Sequence, residues 1–468
     1  MRALFSCVIT VLLIYSASGF SAGDELILGN YESKFFQELE HANQTPLKQG
    51  VVRLTQDELA ALNDVETGQR FILPSIDAFA ANDDSELQFK TVQLYAPGAK
   101  TYVINGSQRY QLDLPRRQFF IASNESIGIS LMIDPQTQLV SGIINRYGTT
   151  LEIRGDLTTG LEFVNARKDG RTDENINYCG VQNEQQPHNP LADLNEVLSS
   201  QSVVENTLGS INFQTVVAID TDNEWLAGFG NNTTNANNYI ENVFMNMNVF
   251  YERDVSLRLL LGDVFLRVSP DPYTIQGNIT NQLSEFGEFW RVNQDGVNRD
   301  FAMQFSGKDV PSNSFSGIAW VNQYCENGFQ FNNGSGLVTA GSYSINQIGS
   351  NLSEAFVSQF IGHELGHNLG SPHTHCYTPE IDQCFASEQG CYSGSVSCPA
   401  GGRGTIMSYC HFSTASGGAN CGISNEEFHP TVIGLFNTRI NNNTPSCIAP
   451  FSGGGGGGDE IFNNGFES

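Results

Sequence analysis

The segment Phe360-Ile361-Gly362-His363-Glu364-Leu365-Gly366-His367-Asn368-Leu369-Gly370-Ser371-Pro372-His373 holds residue types that do metal chemistry, in the pattern H-E-x-x-H-x-x-G-x-x-H. An α-helix advances ~100° per residue, so His363 and His367 fall one turn apart on one face. Two imidazoles so placed can hold one zinc ion at ~2.0–2.1 Å each. Gly370 predicts the end of that helix, because glycine adopts the left-handed conformation of a helix C-terminus at little cost. The turn would bring His373 back as a third ligand. Three protein ligands leave a fourth position for water, the arrangement of a catalytic site and not of a structural one. Zinc lowers the pKa of such a water to about 7. Glu364, beside the first histidine, can accept the water's proton as it attacks a carbonyl and return it to the leaving amine.

At these residues the chain resembles the metzincin zinc endopeptidases. That clan also carries a methionine turn beneath the metal, and Gly404-Thr405-Ile406-Met407-Ser408-Tyr409 fits it, Met407 lying 34 residues after His373. A soft, unbranched side chain suits a position under three imidazoles. Within the clan the adamalysin/reprolysin group is most similar, over roughly residues 210–450. The resemblance implies an α/β catalytic domain: a mixed twisted sheet, the active-site helix, and a disulfide-rich C-terminal subdomain. It also implies that Gly317-Ile318-Ala319-Trp320-Val321 is the edge strand above the cleft, where substrate backbone pairs by strand addition. Two features depart from the group. Thr374 follows the third histidine where Asp is usual, and Cys410 follows the methionine where the group's cysteine precedes it. Met407-Ser408-Tyr409 instead resembles the astacin and serralysin turns, which offers Tyr409 as a further zinc ligand or oxyanion stabiliser, against the reading of a packed tyrosine. His375 and His411 lie close by but miss the motif spacing. Asp220 and Asp222 are read as a calcium site or as a solvated turn.

The chain has ten cysteines. Cys7 lies in an N-terminal segment expected to be removed. Eight fall between Cys325 and Cys447 and imply four disulfides, with the pairing open. Cys179 is left over, in Asn177-Tyr178-Cys179-Gly180-Val181. This run resembles the cysteine switch of reprolysin and matrixin propeptides: a thiolate on the zinc would exclude the water, and Gly180 would let the backbone pass close. No Lys or Arg occurs from residue 172 to residue 252. A cut that frees this thiol from the enzyme is therefore expected within about 182–210, by autolysis or by a protease indifferent to basic residues.

The elements that must position these groups divide the chain. Arg2 and the mostly apolar run Ala3 to Tyr15 read as a signal peptide, with cleavage near Gly19. Residues 20–205 read as a β-rich propeptide, with strands at 101–104 and 118–122 and a polar linker over 182–202. Residues 206–450 read as the catalytic domain: a strand at 213–219, a helix over 237–251 and a long strand over 255–268. Residues 451–468 hold six consecutive glycines and a short tail. A net charge of −27 argues against nucleic-acid partners and against docking on anionic lipid, and no later run is apolar enough to span a bilayer. The resulting expectation is a secreted zinc endopeptidase, made as a latent proenzyme, that takes protein or peptide substrates. Its alternatives are a binding protein on the same fold or a zinc amidase acting on cell-wall peptides.

Overall fold

The computed structural model describes residues 49–451, except 66–68, 81–86, 114–116, 125–126, 147–148, 166–179, 183–210, 269, 311–314, 335, 350–351 and 423. The expected signal peptide, Cys179, the glycine run and the tail therefore lie outside the described residues. Two large sheets organise the rest, beside a two-stranded ribbon of β16 (Phe329–Asn332) and β17 (Leu337–Ala340).

The first is an eight-stranded antiparallel sheet. It is built from β1 (Gly50–Val52), β2 (Arg70–Ile72), β3 (Gln88–Thr91), β6 (Gln118–Ser123), β7 (Ile127–Ile133), β8 (Leu139–Arg146), β9 (Thr149–Asp156) and β10 (Gly160–Asn165), in the order β1-β10-β9-β8-β7-β6-β3-β2. Two short helices, α1 (Gln56–Asp64) and α2 (Pro74–Ala80), bury Leu62, Ile76 and Ala80, together with Leu73 just ahead of α2, in one core with Phe89, Phe120 and Phe163 of this sheet. Thr55 starts α1 with a capping box, its hydroxyl accepting from Glu58 N while Glu58 reaches back to Thr55 N.

The second sheet carries the catalytic elements. β12 (Phe213–Thr221), β13 (Leu257–Val268), β14 (Phe301–Ser306) and β18 (Tyr343–Ile348) run parallel, and β15 (Phe315–Trp320) pairs antiparallel with β18. Nearly every residue of these strands is buried, as expected of a parallel sheet covered on both faces. α4 (Thr233–Phe250) and α6 (Glu354–Asn368) cover one face, and α5 (Ile279–Asn293) packs Leu283, Phe286 and Trp290 on the other. Asn232 caps α4 and Asn278 caps α5, each accepting a backbone N–H three residues on.

Both rims of this sheet belong to the N-terminal region. At one rim, β4 (Thr101–Asn105) adds parallel to β13, and β5 (Gln108–Gln111) closes a hairpin on it. At the other, the three residues of β11 (Gly180–Gln182) pair parallel with β15. The 101–104 strand is where the sequence placed it, yet it joins the catalytic sheet and not the β-rich N-terminal one. β15 is likewise covered along Ile318–Trp320, where an open edge was expected. α4 is consequently sandwiched between the two sheets. Its Ile240, Val243, Phe244 and Met247 enter the catalytic core. Toward the N-terminal sheet it adds polar bonds to the apolar packing, Asn246 accepting from the Ser130 hydroxyl at 2.8 Å and Asn242 from the Ser141 hydroxyl at 3.1 Å.

Beyond α6 the chain has little regular structure until α7 (Pro430–Asn442). Three disulfides hold this part, Cys376–Cys391, Cys384–Cys410 and Cys398–Cys421, and a fourth, Cys325–Cys447, ties the segment after β15 to the one after α7. All eight clustered cysteines pair, as counted from sequence.

Candidate active site

α6 ends at Asn368, and Gly370 follows with φ of 111°, the turn expected of that glycine. Its N–H and that of Ser371 return to the carbonyls of His367 and Gly366, at 2.9 and 3.1 Å. This reversal brings His373 back to the two helical histidines. The Nε2 atoms of His363 and His367 lie 3.0 Å apart, and those of His367 and His373 lie 3.2 Å apart. All three rings are essentially buried.

The other ring nitrogen of each histidine faces an atom that can only accept. His363 Nδ1 donates to the Ile406 carbonyl at 2.6 Å, His367 Nδ1 to the Ser371 carbonyl at 2.7 Å, and His373 Nδ1 to Glu388 Oε2 at 2.7 Å. A neutral imidazole carries one N–H, so these bonds place each proton on Nδ1 and turn each Nε2 lone pair toward the common centre. Protonation of Nε2 is opposed as well. Burial drives the His363, His367 and His373 pKa values down, His367 to about 3, and the neighbouring imidazoles add to the effect. Three converging lone pairs repel one another unless a cation lies between them. This donor set therefore fits zinc, with imidazole nitrogen as every ligand.

The Met407 turn lies beneath the helix. Gly366 has no side chain, and a Cβ there would come within 2.5 Å of Met407 Sδ. The absence of that carbon lets Met407 pack, fully buried, against the helix between the histidines. Ser408 N closes the turn on Thr405 O at 2.9 Å, and Met407 O accepts from Thr374 N at 3.0 Å. Tyr409 lies with its ring centroid 3.8 Å from that of His373 and is also flanked by Phe385 and Phe412. Its ring thus packs against the third histidine. His375 stands apart from the three converging nitrogens, its Nε2 2.9 Å from Glu388 Oε2. His411 packs on Phe412.

Glu364 is buried beneath β15. A Cβ on Gly317 would fall 2.4 Å from Glu364 Oε1 and 2.5 Å from Phe360, so only glycine fits that point of the strand. Asn368 ties the end of the helix to the same sheet, donating to Trp320 O at 2.8 Å and Tyr343 O at 3.1 Å.

Two of these positions were not found from sequence. Glu388 comes from the loop closed by Cys376–Cys391 and accepts from both His373 and His375. Burial pushes its carboxyl up, but the two histidines outweigh burial and hold it well below the usual range. Gly317 was read only as part of a strand. No motif marks either residue, since each meets its partner through the tertiary fold.

The carboxylates offered to calcium have protein cations instead. Asp220 accepts from Arg267 at 2.5 and 2.6 Å, from Tyr273 at 2.6 Å and from the Trp290 indole at 3.1 Å. Asp222 caps α3 (Asn223–Gly228) through Trp225 N and has the Lys308 ammonium 3.9 Å away. Each aspartate is satisfied within the chain, and neither the calcium site nor the solvated turn describes them.

Residues 213–417 match the family model described as Metallo-peptidase family M12, of reprolysin type. This stretch is reprolysin-like. Family M12 implies a zinc-dependent hydrolase that cleaves proteins, and the reprolysin-like stretch contains the three histidines, Glu364 and Met407. Among solved structures, metalloproteinase-II from Bacteroides fragilis aligns at 10 % identity and a TM-score of 0.35, over 69 % of this chain and 86 % of that one. A chaperone–substrate complex aligns at 15 % identity and a TM-score of 0.28, over 49 % and 35 %. Among the described residues, no helix is long and apolar enough to cross a membrane.

Proposed function

We propose that the protein is a secreted zinc endopeptidase made as a latent precursor. The organisation is a signal peptide over 1–19, a propeptide over 20–205, the catalytic domain over 206–450 and a glycine-rich tail over 451–468. The observation that carries the reading is the convergence of three Nε2 atoms beside a buried glutamate under a sheet rim. His363, His367 and His373 hold the metal. Zinc, when bound, polarises the scissile carbonyl and makes water acidic enough to be deprotonated near neutral pH. Glu364 accepts the proton from the attacking water and delivers it to the leaving nitrogen. The backbone of β15 receives substrate as an added strand, which favours polypeptides over small amides and disfavours the cell-wall amidase alternative. Tyr409 braces the His373 ring, and Met407 supports the histidines from below.

What covers that rim supports latency. β11 pairs with Ile318–Trp320, beside the residue that faces Glu364. Cys179 immediately precedes β11 in the chain and is assigned the role of thiolate cap on the zinc. The protein processed after residue 182 should hydrolyse casein, lose that activity to a chelator and regain it with zinc. Hydrolysis that persists with the metal stripped would overturn the reading.

A further inference from the structure

The two rims of the catalytic sheet are built very differently. At the β13 rim, Ala96 N donates to Leu261 O and Leu261 N to Leu94 O, both at 2.8 Å, and Val264 N donates to Lys100 O at 2.9 Å. From there Thr101–Asn105 continue the pairing to Val268. N-terminal backbone thus follows β13 from Leu261 to its end. The outermost strand, β5, is Gln108-Arg109-Tyr110-Gln111, exposed at every residue. A short, polar, charged strand is how a sheet ends safely in water. β13 itself reads Leu-Arg-Leu-Leu-Leu-Gly-Asp-Val-Phe-Leu-Arg-Val. Uncovered, it would be a long apolar edge open to pairing with other chains. At the β15 rim, by contrast, only the three residues of β11 are paired among the described residues.

Side chains tell the same story. Val92, Leu94, Phe119, Ile121 and Met132 of the N-terminal region belong to one continuous core with α4, β12 and β13. Gly128 lets β7 press on Val249, where a Cβ would approach to 2.2 Å. Polar bonds cross the same boundary: Arg117 to Glu241 at 3.0 Å, Thr101 to Asn237 at 2.9 Å, Lys90 to Glu252 at 3.0 Å, and Thr150 to Glu426 at 2.7 Å.

We propose that residues 50–165 remain bound to the catalytic domain after the chain is cut between residues 183 and 210. They act as a noncovalent subunit that completes the sheet, and activation withdraws only β11 from the cleft. The proposal rests on the reading of a zinc peptidase made as a precursor. The partner of the β13 rim is then the chain's own N-terminal fragment, held by strand pairing and a shared core.

The test is to place the recognition sequence of a site-specific protease within 183–210 of the full chain, cut it, and run size-exclusion chromatography in native buffer at micromolar concentration. Both fragments should elute together, in equal amounts, at the volume of the uncut chain. Amide hydrogen exchange over residues 261–268 should be unchanged by the cut. Separation of the fragments in native buffer, or loss of protection over 261–268, would overturn the proposal. If the insertion prevents folding, wild-type protein that has undergone its own processing carries the same two measurements. Neither readout involves substrate, and both apply equally to Glu364→Ala protein, so a failure of the peptidase reading leaves them intact.

Discussion

Glu388 shows how an unmarked residue can set the character of a site. By accepting from His373 Nδ1 it fixes the tautomer that points Nε2 inward, and carboxylates in this position raise the basicity of a ligating imidazole. Glu388→Ala should therefore weaken zinc binding by about 10–100-fold, measured by competition with a chromophoric chelator. Glu388→Gln should recover part of the loss, because its amide oxygen still accepts. Unchanged zinc affinity in the alanine variant would remove Glu388 from the site. His363 and His367 were legible in the sequence because one helical turn joins them, and His373 because Gly370 ends that turn. Glu388 was not: it reaches His373 only through a loop that Cys376–Cys391 closes, and the pairing of eight cysteines is not written in their spacing. The resemblance suggested a metal or oxyanion role for Tyr409, but its ring packing on His373 depends on Phe385 and Phe412 arriving from elsewhere in the loop.

At the scale of elements, the Met407 turn sets Ile406 and Met407 into the main core, while cross-links hold the irregular loops around it. Cys384–Cys410 and Cys398–Cys421 bracket it, while the Ile406 carbonyl must stay in place to orient His363. Replacing Cys384 and Cys410 together by serine should cost roughly 2–5 kcal/mol of stability, seen as a lower calorimetric Tm. An unchanged Tm would show that packing alone holds the turn. Reduction of the native protein should inactivate it for the same reason. Among larger elements, β12, α4 and β13 lie close to where hydrophobic periodicity put them, since period is a local property. α6 is buried on nearly every side, so its position came from the histidine pattern and not from an amphipathic stripe. The strand at 101–105 was visible, but its partner was not. Which sheet a strand joins is decided by long-range pairing, and here the pairing crosses from the N-terminal region into the catalytic sheet. β11, three residues long, carries no periodic signal at all.

Over the whole molecule, one chain supplies both the cleft and what covers it. The run without Lys or Arg from residue 172 to residue 252 leaves trypsin-like enzymes no site between Cys179 and β12. The mature N-terminus, read by mass spectrometry, should fall within about 182–210, where the sequence offers a polar stretch for such a cut. A Cys179→Ser precursor should cleave short peptides before any cut, whereas the wild-type precursor should not. An active enzyme whose N-terminus lies upstream of Cys179, or a serine variant as latent as wild type, would defeat the thiol-cap reading while leaving the metal site in place. At the metal site, the proposed roles are that three histidines hold zinc and that Glu364 moves the proton. They are tested most directly by the rate of casein hydrolysis of processed Glu364→Ala protein, compared with wild type at equal, measured zinc content. One zinc per chain is expected in both, with a rate at least ~100-fold lower in the variant, the scale of a lost general base. Wild-type-like hydrolysis by the zinc-loaded variant would contradict it.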